Sequence, residues 1–549
     1  MKSKSIIEHH ADVVIIGFGA AGGCAAVAAH DAGVQAIILE KQPEARHYSN
    51  SRMSGGGFHC PSADGDFESI KAYAKAMFSG ENLPHKMEGE QPEFSDALAH
   101  AWATFAPQNA TFMQSLDPEF KTFSSAGAAF ADFPGADRAG YACLRSTYRG
   151  SEYEAAETGN TRNAPKSKKE SGEAFHTCLL TGLQSRNIAI QYDTAVQSLC
   201  MNDAGEVTGV EAMCNGQRVV YHARRAVIIT CGGYEYNIRM RKAFLDGPGK
   251  EGWAFYGTPA NTGDGIRMAL KVGAALAKIG SVAGRVICAI PERRNGLKIG
   301  LNTSSVGKPN EIVVDNLGQR YAAERRITKD PSRYIFYKEA LRFDTETLTY
   351  PRIPSWMIFD ATLFGKGALI GAASAAYNDI DWDDGNQNAL RNGWILQGAT
   401  IAELAEKIRA HPDNRDMMDT AALEQQIETW NGYCAAGKDD DFDAEPKTMG
   451  VVNKPPYFAI PLYPGGPNTK GGIRANARRE VLDWDDQPIP RLYTAGEISS
   501  VFQFVYQGGG NLAECIVFGR IAGANAAAEA PMAQAHDATS AQVRVVGSA

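Results

Sequence analysis

The stretch DVVIIGFGAAGGCAAVAAH, residues 12–30, decides the fold. Its opening, Asp12–Ile16, is a short continuous run rich in β-branched residues, the pattern of a strand buried on both faces of a parallel sheet. Gly17, Gly19 and Gly22 follow, with Ala20 and Ala21 between them. At that spacing the first glycine allows a tight turn, the second lets backbone approach a pyrophosphate, and the third lets a helix pack closely on the strand. The alanine-rich segment through His30 has helical composition, so the free N–H groups at its start face the phosphates. A second strand, Gln35–Leu39, ends at Glu40, about 20 residues on, where a carboxylate accepts ribose hydroxyls. The competing reading of Glu40 is a solvated strand end. Lys41, Ala195 and Val196 are counted with the cofactor-binding residues. The expected fold class is α/β, with a Rossmann-type dinucleotide domain at the front of the chain.

Working outward, the next signal is SNSRMSGGG, residues 49–57. A nicotinamide-binding unit does not require this second glycine loop, and its small residues suit backbone contact with a flat ring; Asn50, Ser51, Ser54, Gly55, Gly56 and Gly57 are its candidates. Farther on, a buried strand at 226–230 precedes Gly232 and Gly233, and Asn261-Thr262-Gly263-Asp264 opens a helix. Near the end, LYTAGE (492–497) supplies Gly496 and Glu497. Gly510, Asn511 and Leu512 then open a last helix running through Gly523, whose positive end suits the pyrimidine edge of a reduced flavin.

In this order the motifs resemble those of the FAD proteins related to fumarate reductase, urocanate reductase and the 3-ketosteroid dehydrogenases, from about Asp12 to Gly523. The resemblance implies a discontinuous FAD-binding domain, residues 1–274 and 451–530, with an α+β cap domain inserted at 275–450. Some relatives tether FAD through a histidine in the loop after the ribose acid. Here Asn50 holds the matching place and His47 is out of register, so non-covalent FAD is expected.

The rest of the chain bounds the answer. At 549 residues it exceeds what one core serves, and 44% hydrophobic with 21% charged residues is an ordinary globular balance. A net charge of −8 without long like-charge runs offers no footprint for nucleic acid. The 10 cysteines are scattered without metal-ligand or redox spacing, so no metal site is expected. MKSKSIIEHH at the start lacks a long apolar region and no segment spans a bilayer, which makes the cytoplasm the default address. Within the cap, 311–315 reads as a strand and 401–410 as a helix. The insertion-like stretch 65–170 is assigned no chemistry. The polar, alanine-rich tail 531–549 is expected to be flexible.

The resemblance also carries catalytic expectations. Fumarate-type reductases place a proton-donating arginine shortly after a glycine, arginine and aromatic motif. Here Gly318-Gln319-Arg320-Tyr321-Ala322-Ala323-Glu324 keeps the frame, but Thr328 stands at the arginine's place. Pro467–Gly472 lacks the substrate histidine, and Tyr506-Gln507 replaces an Asn-Arg pair. Losing cationic groups argues against a dicarboxylate substrate, which normally needs arginine or histidine partners; Arg325 and Arg326 keep the reductase reading open, with Arg326 as its acid. Tyr506-Gln507-Gly508-Gly509-Gly510 is instead similar to the Tyr-x-Gly-x-Gly segment of 3-ketosteroid dehydrogenases. That similarity implies that the Tyr506 hydroxyl and the Gly510 N–H polarise a ketone and stabilise its enolate while hydride passes to flavin N5. Tyr334 is the candidate base; a phenol of ordinary pKa about 10 needs activation for that work. The leading expectation is α,β-dehydrogenation of a cyclic or steroid-like ketone with an unidentified electron acceptor or donor. The alternative is reduction of an activated C=C bond. A flavin protein without turnover is a third possibility, disfavoured by the absence of any cysteine cluster or haem motif.

Overall fold

A computed structural model describes residues 7–79, 92–127, 131–148, 171–303, 305–324, 336–371, 380–383, 385–502, 506–532 and 544–545. The N-terminal signal folds as read. Strand β1 (Ile7–Ile16) runs into the glycine turn, helix α1 (Ala20–Asp31) follows, and β2 (Ala36–Leu39) returns parallel to β1. Val13, Val14 and Ile15 are fully buried, as the unbroken apolar run requires of a strand covered on both faces.

On the other side of β1 lies β3 (Gln217–Ile229), parallel to it, and β4 (Pro488–Thr494) joins the far end of β3 in parallel. These four strands, with Ala189–Gln191 as a fifth parallel strand beside β2, come from both ends of the sequence, giving the discontinuous domain that the motif order implied. The first half of β3 pairs antiparallel with Val207–Cys214, which pairs in turn with Thr194–Met201. Arg544–Val545 completes that edge against Cys200 and Met201. These two residues lie within the tail expected to be flexible, and they pair there because an edge strand offers unpaired backbone groups to any chain segment that reaches it.

Helix α3 (Gly510–Ala528) crosses α1 at very close range. A Cβ on Gly519 would stand 2.7 Å from the Ala21 carbonyl, and one on Gly523 2.2 Å from that of Ala25. Small residues thus bring the N-termini of both helices to the same end of the sheet.

The cap is built on a seven-stranded sheet ordered 254–255, 297–301, 285–294, 457–466, 355–360, 311–314, with 396–398 also on the fourth of these strands. It draws strands from beyond both limits of the expected 275–450 interval. Gly465 and Gly466 pair with Ala254 and Phe255, and a Cβ on Gly465 would fall 1.6 Å from the Ala254 carbonyl. Such pairing between distant segments has no local signature. The 65–170 stretch supplies two strands (120–126 and 143–148) of a small sheet with 57–59. Among the described residues no helix is long and apolar enough to cross a membrane.

Candidate active site

One cavity of about 740 Å³ lies at the carboxyl ends of the parallel strands, bounded by the glycine loops and by the cap, the position where open α/β sheets bind ligands. At its first loop Gly17 adopts φ +101°, and a Cβ on Gly19 would meet the Ser51 hydroxyl at 3.8 Å, an ordinary contact. No side chain caps α1 at Gly19, among the described residues. The Ala20 N–H is held 3.1 Å from the Ser51 hydroxyl. The Glu40 carboxylate accepts the Phe18 N–H at 2.8 Å on one oxygen and the Gln42 N–H at 2.8 Å on the other, which leaves further lone pairs for hydroxyl groups. Lys41 donates to Asp264 at 2.7 Å and Thr262 at 2.9 Å, tying β2 to the helix α2 (Asp264–Lys271).

Most residues singled out from sequence border this cavity: Gly17, Gly19, Ala20, Ala21, Glu40, Lys41, Asn50, Ser51, Ser54, Gly55, Gly57, Val196, Gly232, Asn261, Asp264, Gly496, Glu497, Tyr506, Asn511 and Leu512. Six described ones do not, each for a visible reason. Side chains alternate along a strand, so Thr194 and Val196 face the cavity and Ala195 faces away. Gly22 packs under the loop, where a Cβ would meet the Gly17 carbonyl at 2.1 Å. Gly56 turns onto Ser171, Gly233 onto Thr469, and Gly263 onto Met240, with Cβ clearances of 2.2–2.3 Å. Gly510 is the sixth: its N–H is donated to the Gln507 carbonyl at 2.9 Å, and Phe502 fills the space a Cβ would need. The expected carbonyl donor is thus engaged inside its own turn, and Gly508 and Gly509 border the cavity there. Tyr334 and Arg326 lie outside the described residues.

The loop carrying Tyr506 is fixed from the 65–170 stretch, where sequence assigned no chemistry. Tyr73 donates to Gln507 at 2.7 Å, and Gln507 donates to the Gly127 carbonyl at 3.2 Å. Burial drives His59 down to about 3, so its ring is neutral. One nitrogen sits 3.1 Å from the Gly508 carbonyl and the other 3.1 Å from the Tyr141 hydroxyl. Phe502 meets the Tyr506 ring edge-on at 5.9 Å, and the buried Lys470 ammonium lies 5.3 Å from the ring centre.

Sequence reasoning also missed Glu235, which completes one polar group, and the whole of a second. Asn50 and Asn261 bridge a buried acid pair, Glu235 and Glu497: Asn261 donates to Glu235 at 2.8 Å and Glu497 at 3.2 Å, and Asn50 to the same two at 3.1 and 3.2 Å. Burial raises both carboxyls, and Glu235 raises Glu497 further, since like charges so close disfavour double ionisation. Glu235 sits in Gly232-Gly233-Tyr234-Glu235, where an acid amid glycines was the available signal. The second group is cationic. Arg145 and Arg285 both border the cavity, Arg285 with Asn302 and Thr303 on the cap side. Arg285 donates to Asn302 at 3.0 Å and Arg145 to the Gly55 carbonyl at 3.1 Å. The Gly318–Glu324 frame is structural: Arg320 is buried in ion pairs with Asp439 at 3.0 Å and Glu324 at 3.4 Å.

The donor set fits a flavin dinucleotide. The amide oxygen of Asn511 at the start of α3 is buried with no hydrogen-bond partner among the described residues; beyond the Ala20 N–H held by Ser51, the start of α1 supplies N–H donors for phosphates. Residues 12–512 match the FAD binding domain family, so the chain belongs to that family and its cofactor is FAD. Over 593 aligned residues the chain is 27% identical to a 3-oxosteroid 1-dehydrogenase of Mycobacterium tuberculosis, covering 94% of this chain and 98% of that protein. It is 26% identical over 526 residues to "Probable fumarate reductase Ifc3" of Shewanella frigidimarina, covering 94% and 75%. The 3-ketosteroid delta1-dehydrogenase of Sterolibacterium denitrificans, solved with 1,4-androstadiene-3,17-dione, shares the fold with a TM-score of 0.77 at 24% identity, covering 95% of this chain and 100% of that one.

Proposed function

We propose, on the premise that the chain belongs to the FAD binding domain family and is an FAD-dependent oxidoreductase, that it desaturates the CH–CH bond beside the carbonyl of a cyclic or steroid-like ketone. Bound FAD supplies the hydride acceptor, held without a covalent tether. The supporting geometry for that last point is that the His47 ring nitrogen lies 2.8 Å from the Phe18 carbonyl and Asn50 is spent on the acid pair. The reading rests above all on Tyr506, a phenol facing the cavity from a loop pinned by Gln507 and His59.

In this reading the Tyr506 hydroxyl donates to the ketone oxygen and stabilises charge as the α-proton leaves. When protonated, Lys470, 5.3 Å from the ring centre, favours a negative oxygen at its edge. Gly508 and Gly509, rather than Gly510, border the cavity there, so the proposed carbonyl site lies against them. Tyr334 remains the proposed base, and an external acceptor reoxidises the enzyme. A second reading, reduction of an activated C=C bond in an enoate with Arg326 as acid, is favoured by Arg145 and Arg285, because guanidinium groups pair with carboxylates.

Anaerobic mixing separates the two. Oxidised enzyme given 3-ketosteroids and simple cyclohexanones should lose flavin absorbance, and Tyr506→Phe should slow that response by about 10²–10³-fold. Failure of every ketone to bleach the flavin, together with reoxidation of photoreduced enzyme by an enoate, would replace the first reading by the second.

A further inference from the structure

Glu8, His9 and His10 begin β1 at a point where β2 has not yet joined, so this part of the strand pairs with β3 and not with β2. Alternation along a strand puts Glu8 and His10 on one face. The parallel register sets His10 opposite His222, and the two imidazoles stack at 4.8 Å with an interplanar angle of 18°. The next neighbour of His222, on the strand 207–214, is Gly209, which has no side chain to crowd that ring. One donor atom from each of Glu8, His10 and His222 lies within 4.8 Å of the others.

We propose that Glu8, His10 and His222 bind one first-row divalent cation of the zinc type, a site that the sequence alone gave no reason to expect. The chemistry of the set suits it, since imidazole and carboxylate are ordinary ligands for such ions. The spacing suits it too. Bonds of about 2.0–2.1 Å in a tetrahedron place donors roughly 3.3 Å apart, and the Glu8 carboxylate stands 3.4 Å from His222 Nε2. That nitrogen is buried and makes no hydrogen bond among the described residues. Glu8 and His10 are exposed, so side-chain rotation brings the three donors onto one point and water completes the shell. Seven residue steps at about 3.3 Å each lead from His10 to Gly17, so the ion sits at the far end of the sheet from the flavin. It would clamp β1 to β3, the strands whose other ends carry the Gly17 and Gly232 loops.

The test uses the flavin-loaded enzyme. Protein is incubated with ZnCl2, desalted and assayed for zinc, beside Glu8→Gln, His10→Ala, His222→Ala and the double histidine variant. Wild type should retain one more zinc per chain than the double variant and show a zinc-dependent rise in Tm that the double variant lacks. Each single histidine variant should weaken binding by more than the roughly 10–100-fold typical of losing an outer-shell partner. Unchanged flavin absorbance certifies that the variants are folded. Equal zinc retention in wild type and double variant, at any stoichiometry, overturns the proposal, as does a Tm rise that survives both substitutions.

Discussion

Replacing Glu514 by glutamine should make the protein more stable above neutral pH and leave it nearly unchanged near pH 5. Glu514 sits in the second turn of α3, 1% exposed, accepting the Val501 N–H at 3.0 Å and the Ser500 hydroxyl at 3.0 and 3.1 Å. Burial pushes its carboxyl from 4.5 up to about 7, against the opposing pull of those donors and of Lys470 and Arg479. Between those two values the folded chain holds a proton that the unfolded chain has released, so stability falls as pH rises through that window. The rise from 4.5 to about 7, at about 1.36 kcal/mol per pH unit, amounts to roughly 3 kcal/mol, complete by about pH 8. Glutamine keeps an oxygen able to accept from both Val501 and Ser500 and carries no charge to desolvate. Lys470, pushed down to about 7 mainly by its burial, contributes in the opposite sense: its stability term is regained from pH 7 upward, which leaves pH 5–7 as the window that reads Glu514. Urea unfolding followed by tryptophan fluorescence at pH 5, 6 and 7 should show wild type losing ground to the variant as pH rises. A wild-type to variant difference that is independent of pH would refute the reasoning.

Tyr506→Phe should lower kcat by about 10²–10³-fold, the usual loss of one oxyanion donor, with flavin content unchanged in the absorption spectrum. Arg285→Ala should raise KM more for carboxylate-bearing substrates than for neutral ketones; equal effects would detach Arg285 from substrate charge. Gly22→Ala places a Cβ 2.1 Å from the Gly17 carbonyl, so the variant should purify with little FAD or fail to fold, whereas alanine at Gly33, where nothing lies within 4 Å but φ is +87°, should cost only stability and keep the flavin.

Near neighbours in the chain determined the nucleotide half. A β-branched run, a glycine forced to φ +101° at Gly17 and a glycine crowded at Gly22 are consequences of local sterics, so β1, α1, β2, Glu40 and the order of the later loops were legible from residue spacing. What faces the cavity was less so. The choice between Ala195 and Val196 depends on the pleat of an assembled sheet. Gly510 looked like a donor until its N–H was found on Gln507. Arg285 lies in no motif, and it reaches the site because residues 285–294 pair with 457–466 across the cap. The acid pair Glu235–Glu497 and the meeting of His10 with His222 likewise join segments hundreds of residues apart. Sequence carries the preferences of adjacent residues, whereas register, burial and the partner of each polar atom arise only when distant strands close on one another, and that closure set the chemistry of this cavity.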